Sequence, residues 1–133
     1  MAECPCGTRA AYAACCGRYH AGVLHLQAPT PEALMRSRYS AYVLGVRDYV
    51  LDTWHASTRP AQTQRFDSGV KWLGLKVKCA WNLGSYEGFV EFVARNKPPG
   101  GGPAQRLHEV SQFVRVAGRW QYINAVDDTG SGR

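Results

Sequence analysis

Four of the chain's five cysteines fall within thirteen residues, as Cys4-x-Cys6 and then Cys15-Cys16 after eight more. Disulfides explain the cluster poorly. The cysteine count is odd, adjacent cysteines rarely bridge each other, and the rest of the chain reads as intracellular, where thiols stay reduced. A metal ion explains it better. Zinc takes four soft ligands at tetrahedral corners, with sulfur at about 2.3 Å. Iron also accepts four thiolates, but zinc is the better prior. Pro5 stiffens the turn between the first pair, and Gly7 lets the backbone reverse after it. Thr8 is placed to cap a helix over 9–14, rich in alanine, whose end delivers Cys15 and Cys16. Arg9 and Arg18 flank the thiolates, and His20, then His25, are the substitute ligands. With Cys4, Cys6, Cys15 and Cys16 at all four corners no position is left for water, so the expected ion is one structural zinc. It would fold a segment too small to bury its own core.

The whole chain is 133 residues, the size of one domain, with 45 % hydrophobic and 20 % charged residues, which is globular composition. No apolar run approaches the ~20 residues of a membrane span, and no secretory signal opens the chain, so a cytoplasmic protein is expected. The net charge of +6 favours an anionic partner only mildly. The basic residues are scattered, and thiolates on a zinc ion would cancel part of the excess. Nucleic acid is therefore not the expected partner, and neither is a membrane.

Beyond the cysteines the pattern changes twice. Thr30-Pro31 reads as a helix start. At 100° per residue Met35, Tyr39, Tyr42 and Val46 lie within an arc of about 60°, with Leu34 and Val43 at its margins. Arg36, Ser37 and Ser40 point elsewhere. Arg38 lies inside the arc, where a charge needs a partner. Gly45 breaks the run, and a shorter helix is expected from Asp48 through Trp54, ending near His55, with Pro60 closing the region. The period then falls to two. Leu73, Leu75, Val77, Cys79, Trp81 and Leu83 alternate with small or polar residues, a half-buried strand with Cys79 as a packed thiol. Tyr86, Val90, Phe92 and Ala94 form one face of a second strand, and a Pro/Gly-rich connector runs from 97 to 105. A third strand, 107–116, meets a fourth at the hairpin signal Ala117-Gly118. The fold class expected is α+β: two helices, then an antiparallel meander of at least four strands.

The run from Cys4 to Gly17 resembles the SEC-C motif, the zinc-binding segment at the C-terminus of the SecA translocation ATPase. Together with Leu34–Tyr42, Thr53-Trp54-His55, Trp72–Leu75, Phe89–Arg95, Glu109–Phe113 and Gly118–Ile123, it resembles the YchJ-like family of uncharacterised bacterial proteins. The resemblance implies a zinc segment over 1–27, an NTF2-like cone over 28–126 and a tail over 127–133. Many family members carry a second SEC-C motif at the C-terminus. This sequence shows none, which puts any function needing two in doubt.

In such a cone the sheet wraps helices around a cavity. The resemblance therefore turns Glu109, Ser111 and Phe113 inward, although the opposite face of that strand is more apolar by count. Arg38 is then expected to meet Glu109, with Tyr39, Trp54, His55 and Trp81 nearby. Two readings stand: a buried ion pair that fixes helix on sheet, or a small-molecule pocket with Arg38 holding an anion or Glu109 acting as a base. His55 has no visible carboxylate partner and reads as a helix-end residue. Three functions compete. The zinc segment could present a surface to a protein partner, a chaperone or the ribosome by the SecA resemblance. The cone could hold a small-molecule ligand, as carrier or enzyme. The basic zinc segment could bind nucleic acid weakly. No nucleophile triad, phosphate loop or open metal site is visible, which weighs against an enzyme. A homodimer through the sheet is a further expectation.

Overall fold

The computed structural model describes residues 3–59, 70–98 and 100–127. Around the cysteines the chain turns rather than coils. Cys4 N–H donates to Ala10 O (2.8 Å) and Glu3 bridges Ala11, so 9–14 cannot wind into the helix expected. Arg9 takes a left-handed conformation (φ 68°), and only a 3-10 turn forms at Tyr12–Ala14. Thr8 caps no helix; its Oγ1 lies 3.1 Å from Cys15 Sγ. Helix α1 follows, Gly17–His20. Gly17 is required there, because a Cβ would meet Tyr12 O at 2.8 Å.

Helix α2 spans Pro31–Leu44. Thr30 Oγ1 accepts from Ala33 N–H (3.0 Å), and Gly45 ends the helix in the left-handed region at φ 76°. Helix α3, Arg47–Asp52, begins one residue earlier and ends two residues sooner than expected. Trp54 and His55 leave the helix because the backbone pairs with a strand instead. Tyr122 N–H donates to Thr53 O (2.8 Å) and His55 N–H to Tyr122 O (2.7 Å). His55 is therefore not a helix-end residue.

Four strands form one antiparallel meander in chain order: β1 Lys71–Asn82, β2 Glu87–Lys97, β3 Gln105–Val116 and β4 Arg119–Asp127. The β3–β4 turn holds Ala117 at φ 52° and Gly118 at φ 79°, the pair of positive angles that a two-residue hairpin needs. The inner face of β2 carries Val90, Phe92 and Ala94, and their partners on β3 are Ser111, Glu109 and Leu107. The face expected for β1 is corrected. Register shifts at Trp72/Gly74 and Val77/Cys79 each insert one residue, and each insertion reverses the alternation. Trp72, Leu75 and Val77 thus pack on the core, while Cys79 and Trp81 turn outward opposite Glu91 and Phe89. Trp81 is 41 % exposed and stacks on Phe89, and Cys79 is an exposed thiol rather than a packed one.

Helix α2 lies across the inner face, touching β1, β2 and β4. At Gly88 the approach is so close that a Cβ would fall 2.4 Å from Pro31 Cγ. The core joins Leu34, Met35, Tyr39, Tyr49, Val90, Phe92, Phe113 and Trp120. Burying a side chain of this kind contributes roughly 1.5–3 kcal/mol. Ser37 and Ser40, expected to point away, are fully buried. The second face of α2 is thus covered by the cysteine segment. Pro60 and residues 128–133 of the expected tail lie outside the described residues.

Candidate functional site

The four sulfurs of Cys4, Cys6, Cys15 and Cys16 lie within 4.8 Å of one another, and all four residues are buried. Cys6 and Cys15 sulfurs are 3.6 Å apart. That is far beyond a disulfide and close to the ~3.8 Å edge of a tetrahedron with metal–sulfur bonds of about 2.3 Å. As free thiols the cluster is electrostatically awkward. The hydrogen bond from Cys16 holds the Cys6 sulfur down to about 4. The same bond pushes Cys16 up, and burial pushes Cys15 up. Four thiolates this close need a cation among them, and four soft donors with no fifth group suit a tetrahedral ion. These residues could hold a metal ion, in a closed site.

His20 is not a substitute ligand, because both ring nitrogens are committed. Nε2 lies 2.8 Å from Ser37 O, to which it donates, and Nδ1 accepts from the Tyr12 hydroxyl at 2.6 Å. Burial pulls the imidazole below its usual value, as befits this neutral form. The ring packs on Tyr49, whose hydroxyl lies 2.7 Å from Ser37 Oγ. Cys4 Sγ lies 3.3 Å from Ser40 Oγ, and Arg36 Nη1 donates to Cys6 O (2.8 Å). The cluster is thereby tied to one face of α2 at Arg36, Ser37 and Ser40.

The other face of α2 roofs a cavity of about 310 Å³ against the sheet. Of the residues expected there, Arg38, Tyr39, Trp54, Glu109, Ser111 and Phe113 line it. His55 and Trp81 do not. His55 Nδ1 turns to Ser57 Oγ (2.8 Å), and Trp81 lies on the outer face of the sheet. Sequence reasoning missed Met35, Tyr42, Trp72, Phe92, Ala94, Leu107 and Tyr122 as lining residues. Tyr42 and Phe92 were already on the right faces. Tyr122 shares a strand face with Trp120 two residues before it, an aromatic pair visible in the sequence; Trp72 was hidden by the bulge.

Arg38 is 6 % exposed. Its Nη1 donates to Val50 O (2.9 Å) and Thr53 Oγ1 (2.8 Å). Its guanidinium sits 4.6 Å from the Tyr122 ring centre and 5.1 Å from that of Trp54. Burial lowers its pKa from the usual value. Glu109 faces the same cavity and accepts from Ser111 Oγ (3.2 Å). Tyr122 lines the cavity with both Arg38 and Glu109. Burial first, and then Glu109, push its phenol up to about 12, so it keeps its proton. Among the described residues no helix is long and apolar enough to cross a membrane.

Comparison with known proteins agrees with this geometry. A family model described as "YchJ, middle NTF2-like domain" matches residues 30–125. A UPF0225 protein of Chromobacterium violaceum is 56 % identical, over 94 % of this chain and 93 % of the relative. One from Bordetella parapertussis is 52 % identical, over 92 % and 91 %. The solution structure of a SEC-C motif containing protein from Rhodopseudomonas palustris superposes with a TM-score of 0.79 at 36 % identity, covering 95 % of this chain and all of that one. The crystal structure of a SEC-C motif containing protein from Psychrobacter arcticus gives 0.78 at 30 % identity, over the whole of this chain and 85 % of the other. The chain belongs to the YchJ-like, UPF0225 family, with an NTF2-like domain behind its cysteine cluster.

Proposed function

We propose that this protein is a small-molecule-binding module whose ligand sits in the cavity beneath α2, and whose cysteine cluster holds one structural zinc ion. The single observation that carries the ligand reading is the cavity itself. It is walled by aromatic side chains and holds one guanidinium and one carboxyl group, the usual make-up of a ligand site: apolar walls with few, fixed polar groups. Zinc is favoured by four sulfurs with no open position, since zinc needs neither redox change nor a fifth ligand. In this reading residues 1–27 form the zinc segment and 28–126 the ligand-binding domain. The ion takes no part in binding; the segment it folds backs α2, which carries Arg38 and Tyr39 into the cavity.

Native mass spectrometry of chain purified without chelator tests both halves. The expected spectrum shows one zinc ion per chain and a small-molecule adduct after incubation with a cell extract. Leu107 lies at the cavity wall and is partly exposed. Leu107→Trp should abolish the adduct and keep the zinc. An adduct that survives Leu107→Trp, or a cavity that takes up nothing, argues against the ligand reading.

A further inference from the structure

Basic residues that look scattered along the sequence are gathered by strand register. Val90, Phe92 and Ala94 face the core, so Phe89, Glu91, Val93, Arg95 and Lys97 alternate onto the outer face of β2. Directly opposed partners share a face. Arg95 stands opposite Arg106 on β3, Lys97 opposite Lys71 on β1, and Val93 opposite Lys76. Three adjacent strands thus carry Lys71, Lys76, Arg95, Lys97 and Arg106 at one end of the outer face, all of them exposed. None of these side chains makes a hydrogen bond or ion pair with a described residue. Like charges set directly opposite one another destabilise a sheet, and an anion laid across them removes that cost. The acids that β2 places on this face are already held: Glu91 lies 2.7 Å from His108 Nε2, and Glu87 accepts from Gln112.

The other end of the same face is aromatic. Trp81 stacks on Phe89 with the ring planes 16° apart, yet stays 41 % exposed. From Phe89 to Arg95 the strand runs about 20 Å, a reach of several nucleotides. Beside Arg95, Gly74 presents no side chain, and nothing lies within 4 Å of where one would begin.

We propose that the outer face of the sheet binds single-stranded nucleic acid, with phosphates along Lys71, Lys76, Arg95, Lys97 and Arg106 and a base stacked on Trp81. Cations spread over a strand face answer a phosphate backbone, and an exposed ring at its end answers an unpaired base. A duplex hides its base faces and an anionic lipid surface has none, so neither would use Trp81. The surface lies on the opposite side of the sheet from the cavity and is independent of the ligand reading.

The test uses the full, metal-loaded chain and fluorescence anisotropy. The probes are labelled oligo(U) and oligo(dT) of about ten nucleotides, an RNA duplex of the same length, and phosphatidylserine vesicles. Both single strands are expected to bind, and the duplex about tenfold more weakly. With five phosphate contacts, affinity for oligo(U) should fall about a hundredfold between about 50 mM and about 200 mM salt. Arg95→Glu combined with Arg106→Glu should weaken oligo(U) at least about tenfold and flatten the salt dependence, while Arg95→Lys combined with Arg106→Lys should keep both. Trp81→Ala should weaken oligo(U) about tenfold and leave the salt dependence unchanged, which separates stacking from charge. Should the Glu variant not fold, Lys76→Glu combined with Lys97→Glu applies the same test from the neighbouring strands. Failure of both single strands to bind at about 50 mM salt, or binding that survives the charge reversals, would overturn the proposal. Duplex or vesicles bound as tightly as oligo(U) would overturn it as well.

Discussion

The cysteine segment and the cone press on opposite faces of the same helix, and they hold it by different chemistry. Among the described residues the cone packs twelve buried residues into one cluster, most of them aromatic or branched, and Tyr19 of the segment joins them. The segment's own buried cluster is four cysteines, with Ala10, Tyr12 and Leu75 packed against it. Burial can organise the first. It cannot organise the second, whose interior is four thiols that repel one another once ionised. With the proposed zinc ion bound, the segment would draw its folding energy from sulfur–metal bonds and pass it to α2 through Ser40, Ser37 and Arg36. The same helix turns Arg38 and Tyr39 into the cavity. A small domain can thus stiffen one wall of the cavity without enlarging its apolar core.

The sharpest way to break this comparison is to remove a sulfur. Cys16→Ser should abolish metal binding and unfold the segment while the sheet remains folded, read as lost metal content with retained β-type circular dichroism. Next comes the cone's own weak point. Arg38→Ala removes donors to Val50 O and Thr53 Oγ1 and two ring contacts, and should cost about 3 kcal/mol in denaturant unfolding. Metal content should not change. Gly88→Ala drives a methyl against Pro31 and should cost about 1–3 kcal/mol, again with metal retained.

The seam between the two regions responds to pH. Burial holds His20 below its ordinary value of 6.5. As pH falls the unfolded chain takes up that proton first. The stability tied to neutral His20 is therefore complete above about pH 6.5 and is lost as pH drops from there through the folded value. Unfolding of His20→Gln, which cannot titrate, should show a shallower acid slope than the native chain between about pH 7 and pH 5. The smallest effect belongs to the fifth cysteine. Cys79→Ser should leave the denaturant midpoint and the metal content unchanged, since the thiol is exposed on the outer face.

What could be read from the sequence differs between the regions for the same physical reason. Metal ligation is local, so the spacing of Cys4, Cys6, Cys15 and Cys16 already displays the cluster, and Thr30-Pro31 and Gly45 mark the ends of α2. The inward set Glu109, Ser111 and Phe113 needed the family resemblance, because composition alone favours the opposite face of β3. The face of β1 was legible only between its two bulges, at Leu75 and Val77, since a bulge is set by register against β2. Trp54 and His55 read as helix because nothing near them reveals pairing with Tyr122. Ser37 and Ser40 read as outward because the partners that bury them, His20 and Cys4, lie 17 and 36 residues earlier. His20 read as a ligand because its two partners, Tyr12 and Ser37, come together only in the fold.

The most direct test compares 1H–15N spectra of the chain before chelation, after chelation and after one equivalent of zinc is restored. The two-region account predicts that amide signals from Cys4 to His20 collapse without metal, that Ser37 and Ser40 shift, and that Val90, Phe92, Ser111 and Phe113 keep their dispersion. Restoring zinc should return the first set. Signals from Cys4 to His20 that stay dispersed without metal, or a sheet that unfolds together with them, would contradict it.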